Sequence, residues 1–467
     1  MVRLPWLKNF EATLFGVSFL VHLFMSVFLY AQFGDRVLTF ENEDALSYLD
    51  VARSIVDRGG FLADGVVSAY RTPVYPLFLV FFIFLKLPLT WAVLLVQNII
   101  ASFAGVLLYR LGRQLFGDGA GKIAGWMYVL EPYMIMTANL ATTETVFNCL
   151  LIGFAYYFFQ AMREDSLKKY LLSGALMGIL ALTRPVALYL PIVALCLLGI
   201  HTFAQRDWRK FVKQGAIMLI ACATIIAPWS IRQYTHFGRW RITNIDAFML
   251  YARVAPIVVM DEKHIDYISA AKLNMQALIA LPGFTSNAMI HTFDFYDPMI
   301  HETKRLVLSR PLPVVRFYAI SSIPTLFGTG YEYLLEDVFG IERQTLRPSY
   351  TEIILREGPG GLIQIFRSLD IFQVVFFLGI GLWALMYLTI LAYLVRRAPW
   401  RTKSVAILLP LLLALYFVLF TLGPASHARY RMPSFPFWFL LGGAGLQAID
   451  FSRFSVRISA LWKTFLS

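Results

Sequence analysis

Charged side chains are sparse in this sequence and cluster in a few short segments able to handle protons and phosphates. The stretch FENEDALSYLDVARSIVDRGG carries Glu41, Glu43 and Asp44 immediately before a helical pattern. A carboxylate fixed at such a place can accept a proton from an incoming hydroxyl or amine. The same acids also suit a helix start, with Asn42 as cap and carboxylates in the first turn. Arg71, in AYRTPVYP, sits where an apolar helix begins. It can hold a lipid phosphate, or simply snorkel to the headgroups.

Arg184 interrupts a long apolar run just before Pro185. An ionisable group within an apolar segment is costly and is a functional candidate by default. Its structural alternative is an ion pair with Glu131 or Glu144. Glu131 precedes Pro132 inside an apolar run, and Glu144 follows Thr142 and Thr143, of which Thr143 can serve as N-cap. Acids gathered near a base can orient a substrate, tune the base or bind a divalent cation. Near the other end, SHARYRMPSFP places His427, Arg429, Tyr430 and Arg431 together, where an anionic group can be bound. His427 has no partners at metal-ligand spacing.

The elements that must position these residues are membrane helices. Of 467 residues, 58% are hydrophobic and 15% charged, with a mean hydropathy of +0.64. Soluble domains carry about 25% charged residues. The net charge of +12 comes from short basic clusters between apolar runs, the pattern of cytoplasmic loops and not of a nucleic-acid surface. Cys149, Cys196 and Cys222 lie inside apolar runs and show no pairing or metal pattern.

Residues 13–33 are long enough to cross about 30 Å of hydrocarbon and read as a retained anchor. Further apolar runs cover 91–109, 123–138, 144–162, 215–229, 371–395, 404–423 and 434–449. The run 171–201, broken at Arg184, reads as a hairpin of two short helices. Lys and Arg clusters then fall on one side, giving about ten crossings with both termini cytoplasmic. Two segments lie on the far side, 34–89 and 230–370. In the first, residues 44–58 put Ala45, Tyr48, Leu49, Ala52, Ile55 and Val56 on one face, and Ser47, Asp50, Ser54 and Asp57 on the other. That pattern predicts a helix on the membrane surface. The short stretch 73–84 reads as a second interfacial helix, and 230–370 is expected to build a pocket from helices. Parity argues against a full crossing at 312–327.

Taken in chain order, EDALSYLDVARSI, YRTPVYPLFL, QLFGDGAGKIAG, TTETVFNCLL, ALTRPVALYLP, APWSIRQYTHFG and ARYRMPSFPF resemble the GT-C superfamily of glycosyltransferases. The likeness is to the branch of protein O-mannosyltransferases and the lipid A aminoarabinose transferase. It implies an all-α polytopic membrane protein, a bundle of about 10–12 transmembrane helices with interfacial helices in the first outer loop. It implies one domain over residues 1–450 and a short cytoplasmic tail, 451–467. By this resemblance Asp44 matches the presumed general base and Glu144 a second acid. Arg71 takes the position that contacts the carrier phosphate. Arg184 falls in a "TRP" motif, and Arg429 and Tyr430 in an "RY" motif. Glu43, Tyr48, Tyr75, Glu131 and Arg431 complete the substrate-binding candidates.

The implied partners are a polyprenyl-phosphate-linked sugar donor, such as one carried on undecaprenyl phosphate, and a glycan, lipid or protein acceptor. Transfer of a hexosyl or pentosyl group would take place on the outer face of the plasma membrane. Asp44 as the one base favours inverting single displacement, while Glu41, Glu43 and Glu144 keep a two-step route open. Two rivals stand beside this reading: a transporter or flippase of a glycolipid, and a polymerase or ligase using a lipid-pyrophosphate donor.

Overall fold

A computed structural model describes residues 9–40, 42–331, 334–335, 339, 358, 360, 370–399, 404–423 and 428–449. Glu41, His427, the 451–467 tail and part of the second outer segment lie outside the described residues.

Helix α1 spans Phe10–Phe33, capped by Asn9, whose side chain accepts from the Glu11 amide at 3.0 Å. Helix α2, Glu43–Arg58, starts at Asn42, whose side-chain oxygen accepts from the amides of Asp44 and Ala45 at 3.1 and 3.3 Å. It stops at Gly59, where the left-handed backbone (φ +67°) suits glycine. A two-residue hairpin follows, β1 (Leu62–Ala63) antiparallel to β2 (Val66–Val67), and then α3, Val74–Phe84. Next come α4 (Leu89–Phe116), α5 (Asp118–Val129), α6 (Pro132–Thr137), α7 (Glu144–Glu164), α8 (Leu167–Thr183), α9 (Leu190–Ala204) and α10 (Trp208–Phe237). The segment after α10 forms α11 (Ile245–Met249), α12 (Ala255–Lys263), α13 (Tyr267–Ile279), α14 (Tyr296–Ser309) and α15 (Pro311–Phe327). After it come α16 (Ile371–Arg397), α17 (Val405–Thr421), α18 (Ala428–Arg431) and α19 (Phe435–Gln447).

Six of the described helices are long and apolar enough to cross a membrane: Phe10–Leu38, Leu89–Phe116, Glu144–Glu164, Pro185–Ala204, Trp208–Phe237 and Ile371–Arg397. Their outward residues are themselves apolar, as with Leu20 and Phe24 on α1 and Leu382 and Leu385 on α16, which suits contact with lipid. Other expected crossings are shorter. The 123–138 run is divided between α5 and α6 at Glu131 and Pro132, whereas α8 and α17 have 17 residues each and α19 has 13. Helix α3, with 11 residues, is only about 17 Å long at 1.5 Å per residue, as an interfacial element should be. Helices α14 and α15 meet at a 93° bend, so 312–327 does not continue straight from the preceding helix.

Small residues set the close crossings. A Cβ on Gly112 of α4 would stand 2.8 Å from Cα of Gly121 on α5, so only glycine permits that approach. Gly174 and Gly178 of α8 face Met218 and Cys222 of α10 in the same order, so those helices run parallel. Leu195 of α9 instead faces Gly215, and Gly199 faces Phe211, an antiparallel order. Helices α8 and α9 therefore reverse direction about Arg184, giving the expected hairpin.

Helix α2 buries Ala45, Tyr48, Leu49 and Ala52, as its pattern predicts. Ser54 departs from it. Its hydroxyl is buried and bonds the Gly60 and Leu62 carbonyls at 2.8 and 2.9 Å, so a residue placed on the polar face ties α2 to the β-hairpin.

Candidate active site

Two carboxylates and three arginines from distant parts of the chain form one alternating chain of charges. Asp44 lies in the first turn of α2. Its Oδ1 accepts from Nη2 of Arg71 at 2.7 Å, and its Oδ2 from Nη1 of Arg429 at 2.8 Å. Arg429 continues to Glu144, its Nε 2.6 Å from Oε1, and Nη1 of Arg184 reaches the same oxygen at 3.0 Å. The order Arg71, Asp44, Arg429, Glu144, Arg184 joins α2, the turn before α3, α18, the start of α7 and the break after α8.

The backbone holds these side chains from several sides. Around Arg71, the Thr243 hydroxyl donates to the Tyr70 carbonyl at 2.7 Å, and Arg232 donates to the Ser68 carbonyl at 2.7 Å. The Thr72 hydroxyl donates to the Thr183 carbonyl at 3.1 Å, so the residues beside Arg71 and Arg184 are bonded to each other. Nε of Arg71 donates to Ser47 at 3.0 Å, and its guanidinium lies 4.5 Å from the Tyr48 ring and 4.9 Å from the Tyr70 ring. The planar fork is thus fixed by stacking as well as by hydrogen bonds. Tyr75 meets Tyr48 edge-on at 5.1 Å, and its hydroxyl donates to Gln97 at 2.9 Å. Gln97 in turn donates to the carbonyls of Ala138 and Leu140.

Access differs between the two acids. The Asp44 side chain is 29% exposed and that of Glu144 is 0% exposed. Burial alone would raise the Asp44 carboxyl, but the charges and hydrogen bonds of Arg71 and Arg429 prevail and hold it down at about 2. Asp44 faces a cavity of about 530 Å³, lined by Glu43, Ser47, Tyr70 and Arg71 on one side, and by Phe248, Met275, Ile290 and His291 from the segment after α10 on the other. A buried cluster of Tyr251, Leu278, Phe293, Phe295, Tyr296 and Met299 supports that far wall. The expectation of pocket-building helices in 230–370 is met over its described residues, with the lining drawn from 248–291.

Asn42 caps α2 as the structural alternative required, and Asp44 nonetheless joins the charged chain. Glu144 is not preceded by a side-chain cap, because Thr143 already has helical backbone angles. Arg184 does pair with Glu144. Glu131 stands apart, its Oε2 capping α6 through the Met134 amide at 2.6 Å. Arg431 also stands apart. It is fully buried, donates to the Leu326 and Gly328 carbonyls, and lies 4.1 Å from the Trp383 ring, where it fastens the end of α15. Tyr430 is half-buried beside Arg429. Among the described residues no three His, Cys, Asp or Glu side chains converge as a metal site would need.

Sequence reasoning missed His291 and Asp64, which pair at 3.1 Å on the cavity wall, and Gln97 beneath Tyr75. None carried a motif. The only pointer was the expectation that helices in 230–370 build a pocket.

Comparison with known proteins agrees with this architecture. Residues 70–231 match the dolichyl-phosphate-mannose-protein mannosyltransferase family. The Archaeoglobus fulgidus oligosaccharyltransferase in its apo form aligns over 94% of this chain and 51% of its own, at 12% identity and a TM-score of 0.51. The chain has the GT-C fold. A second structure of that archaeal enzyme, AglB with an inhibitory peptide and a dolichol-phosphate, aligns over 94% of this chain and 50% of its own, at 11% identity and a TM-score of 0.50. The chain therefore spans about half the length of this archaeal oligosaccharyltransferase. ArnT from Cupriavidus metallidurans bound to undecaprenyl phosphate aligns over 92% of this chain at 15% identity, covering 78% of its own length with a TM-score of 0.40. No curated protein sequence matches. The family match takes in Arg71, Glu144 and Arg184, while Asp44 and Arg429 lie outside it.

Proposed function

We propose that this chain is a glycosyltransferase that moves a sugar from a polyprenyl-phosphate carrier to an acceptor on the extracytoplasmic face of the membrane. The observation that carries the reading is the alternating chain of three arginines and two carboxylates beside an open cavity. Its net charge is positive, so it has room for one further anion. The family match and the dolichol-phosphate held by AglB, a protein of the same fold, make a lipid-linked phosphate the natural anion.

Arg71 lines the cavity with Asp44, Arg429 holds the other oxygen of Asp44, and among the described residues Nη1 of Arg71 bears no hydrogen bond. A phosphate entering here would take over guanidinium bonds that Asp44 holds at rest. The arginines would stabilise the negative charge gathering on the phosphate oxygen as its bond to the anomeric carbon breaks. As the acceptor forms its bond to that carbon, its proton would pass to Asp44. With about 2 as its resting value, Asp44 is a weak base until the arginines shift toward the phosphate. Glu144, buried and paired twice, would hold Arg184 and Arg429 in place. Inverting single displacement is supported by Asp44 being, among the described residues, the one carboxylate lining the cavity that pairs with these arginines.

The deciding experiment supplies purified protein in lipid vesicles with radiolabelled polyprenyl-phosphate sugars and mixed acceptors. Label in a glycosylated product and release of polyprenyl phosphate support transfer. Label that only crosses the bilayer would overturn it in favour of transport.

A further inference from the structure

A second cavity, of about 790 Å³, neighbours the candidate active site along α2, with Leu46 and Asp50 lining both. Its walls are the Gly34–Leu38 turn, the outer face of α2 and the start of α4. Both α1 and α4 are candidate membrane spans, and the cavity sits where α1 ends and α4 begins, at headgroup depth. Tyr30 and Trp91 line it, their rings 4.8 Å apart, as aromatic residues do at a membrane border.

Its charges are unequal in their commitments. Asp35 accepts from the Thr90 hydroxyl at 2.7 Å and Asp50 accepts from the Asp64 amide at 3.2 Å. Arg36 and Arg53 also line the cavity and are exposed, and among the described residues neither guanidinium has a hydrogen-bond or ion-pair partner. Two uncommitted guanidinium groups beside an aromatic pair, with Leu46 and Leu49 below them, match a phosphate headgroup with its first methylenes.

We infer that this cavity binds the phosphate headgroup of a bilayer phospholipid, through Arg36 and Arg53. The site is distinct from the proposed carrier site, because Arg36, Arg53, Tyr30 and Trp91 line only this cavity, and Ser47 and Arg71 only the other. The Asp44 carboxylate lines only the other one. A lipid seated here would brace α2 along Leu46, Leu49 and Arg53, so the site links membrane composition to the helix that carries Asp44.

The test is lipid retention by the full-length protein, followed by native mass spectrometry during stepwise delipidation. Phosphatidylglycerol is offered, with diacylglycerol of the same chains as the phosphate-free control. Wild type should retain phosphatidylglycerol in preference to diacylglycerol. Arg36→Gln with Arg53→Gln should weaken retention roughly thirtyfold, at about 1 kcal/mol for each basic side chain near a lipid surface. Arg58→Gln, an exposed change at the end of the same helix, should leave retention unchanged, and circular dichroism of each variant confirms its helix content. Equal retention by wild type and the double variant would overturn the site. Displacement of the retained lipid by one equivalent of polyprenyl phosphate, with no preference for phosphatidylglycerol, would overturn the phospholipid assignment. Because retention is measured without sugar transfer, this outcome is independent of the proposed catalytic activity.

Discussion

Asp44 and Arg429 lie 385 positions apart in the chain, and their side chains meet at 2.8 Å. That contact closes the start of α2 against α18, and through Arg429 it reaches Glu144. A carboxylate held by two arginines has a different chemistry from a free helix-capping acid, and the expected outcomes below turn on that difference.

Asp44→Asn removes the negative charge between Arg71 and Arg429 while keeping the shape of the side chain. Sugar transfer should fall by about 10²-fold or more, the scale of a lost general base. Single-turnover measurement with labelled donor checks this. Turnover near that of the wild type would remove Asp44 from the proton-transfer role.

Glu144→Gln leaves Arg184 and Arg429 without their shared carboxylate in a buried place. Breaking one side of a buried ion pair costs about 3–5 kcal/mol, so the variant should unfold at a clearly lower temperature in detergent or nanodiscs. Glu144→Asp, which keeps the charge, should recover part of the loss. If Glu144→Gln unfolds like the wild type and only turnover suffers, Glu144 acts on the substrate and not as a support.

Arg71→Lys retains one positive charge but cannot donate to both Ser47 and Asp44 from one plane, nor stack equally between Tyr48 and Tyr70. KM for the lipid donor should rise by about tenfold, with expression and helix content unchanged. A donor dependence identical to the wild type would count against the phosphate role.

The membrane elements and the surface helix were legible in the sequence because apolar runs and a 3.6-residue period report directly on lipid and surface burial. The apposition of Arg184 and Glu144 was legible as one of two pairings, since a charge amid apolar residues needs a partner. Glu131 and Arg431 were not separable from the site by type alone. Their removal from it depends on where α6 starts and where α15 ends, facts of packing that leave no local pattern. His291 was hidden for the same reason, being brought by the fold to Asp64, a residue 227 positions away.

The pH profile separates the resting enzyme from its donor complex. At rest, burial opposes the Asp44 carboxylate but Arg71 and Arg429 overrule it, holding it at about 2, below the ordinary value near 3.9. A depressed carboxylate contributes stability above its unfolded value and loses it as pH falls toward the folded one. The stability difference between wild type and Asp44→Asn should therefore be constant above about pH 4 and shrink between about pH 4 and 2. The acid limb of kcat/KM reports the free enzyme, so Asp44 should place it below about pH 4. The acid limb of kcat reports the complex. There the donor phosphate draws the guanidinium groups toward itself, so Asp44 moves back up and the kcat limb should lie at higher pH than the kcat/KM limb. Parallel rate profiles at saturating and limiting donor make the comparison, and coincident limbs would show that Asp44 keeps both arginines throughout the reaction.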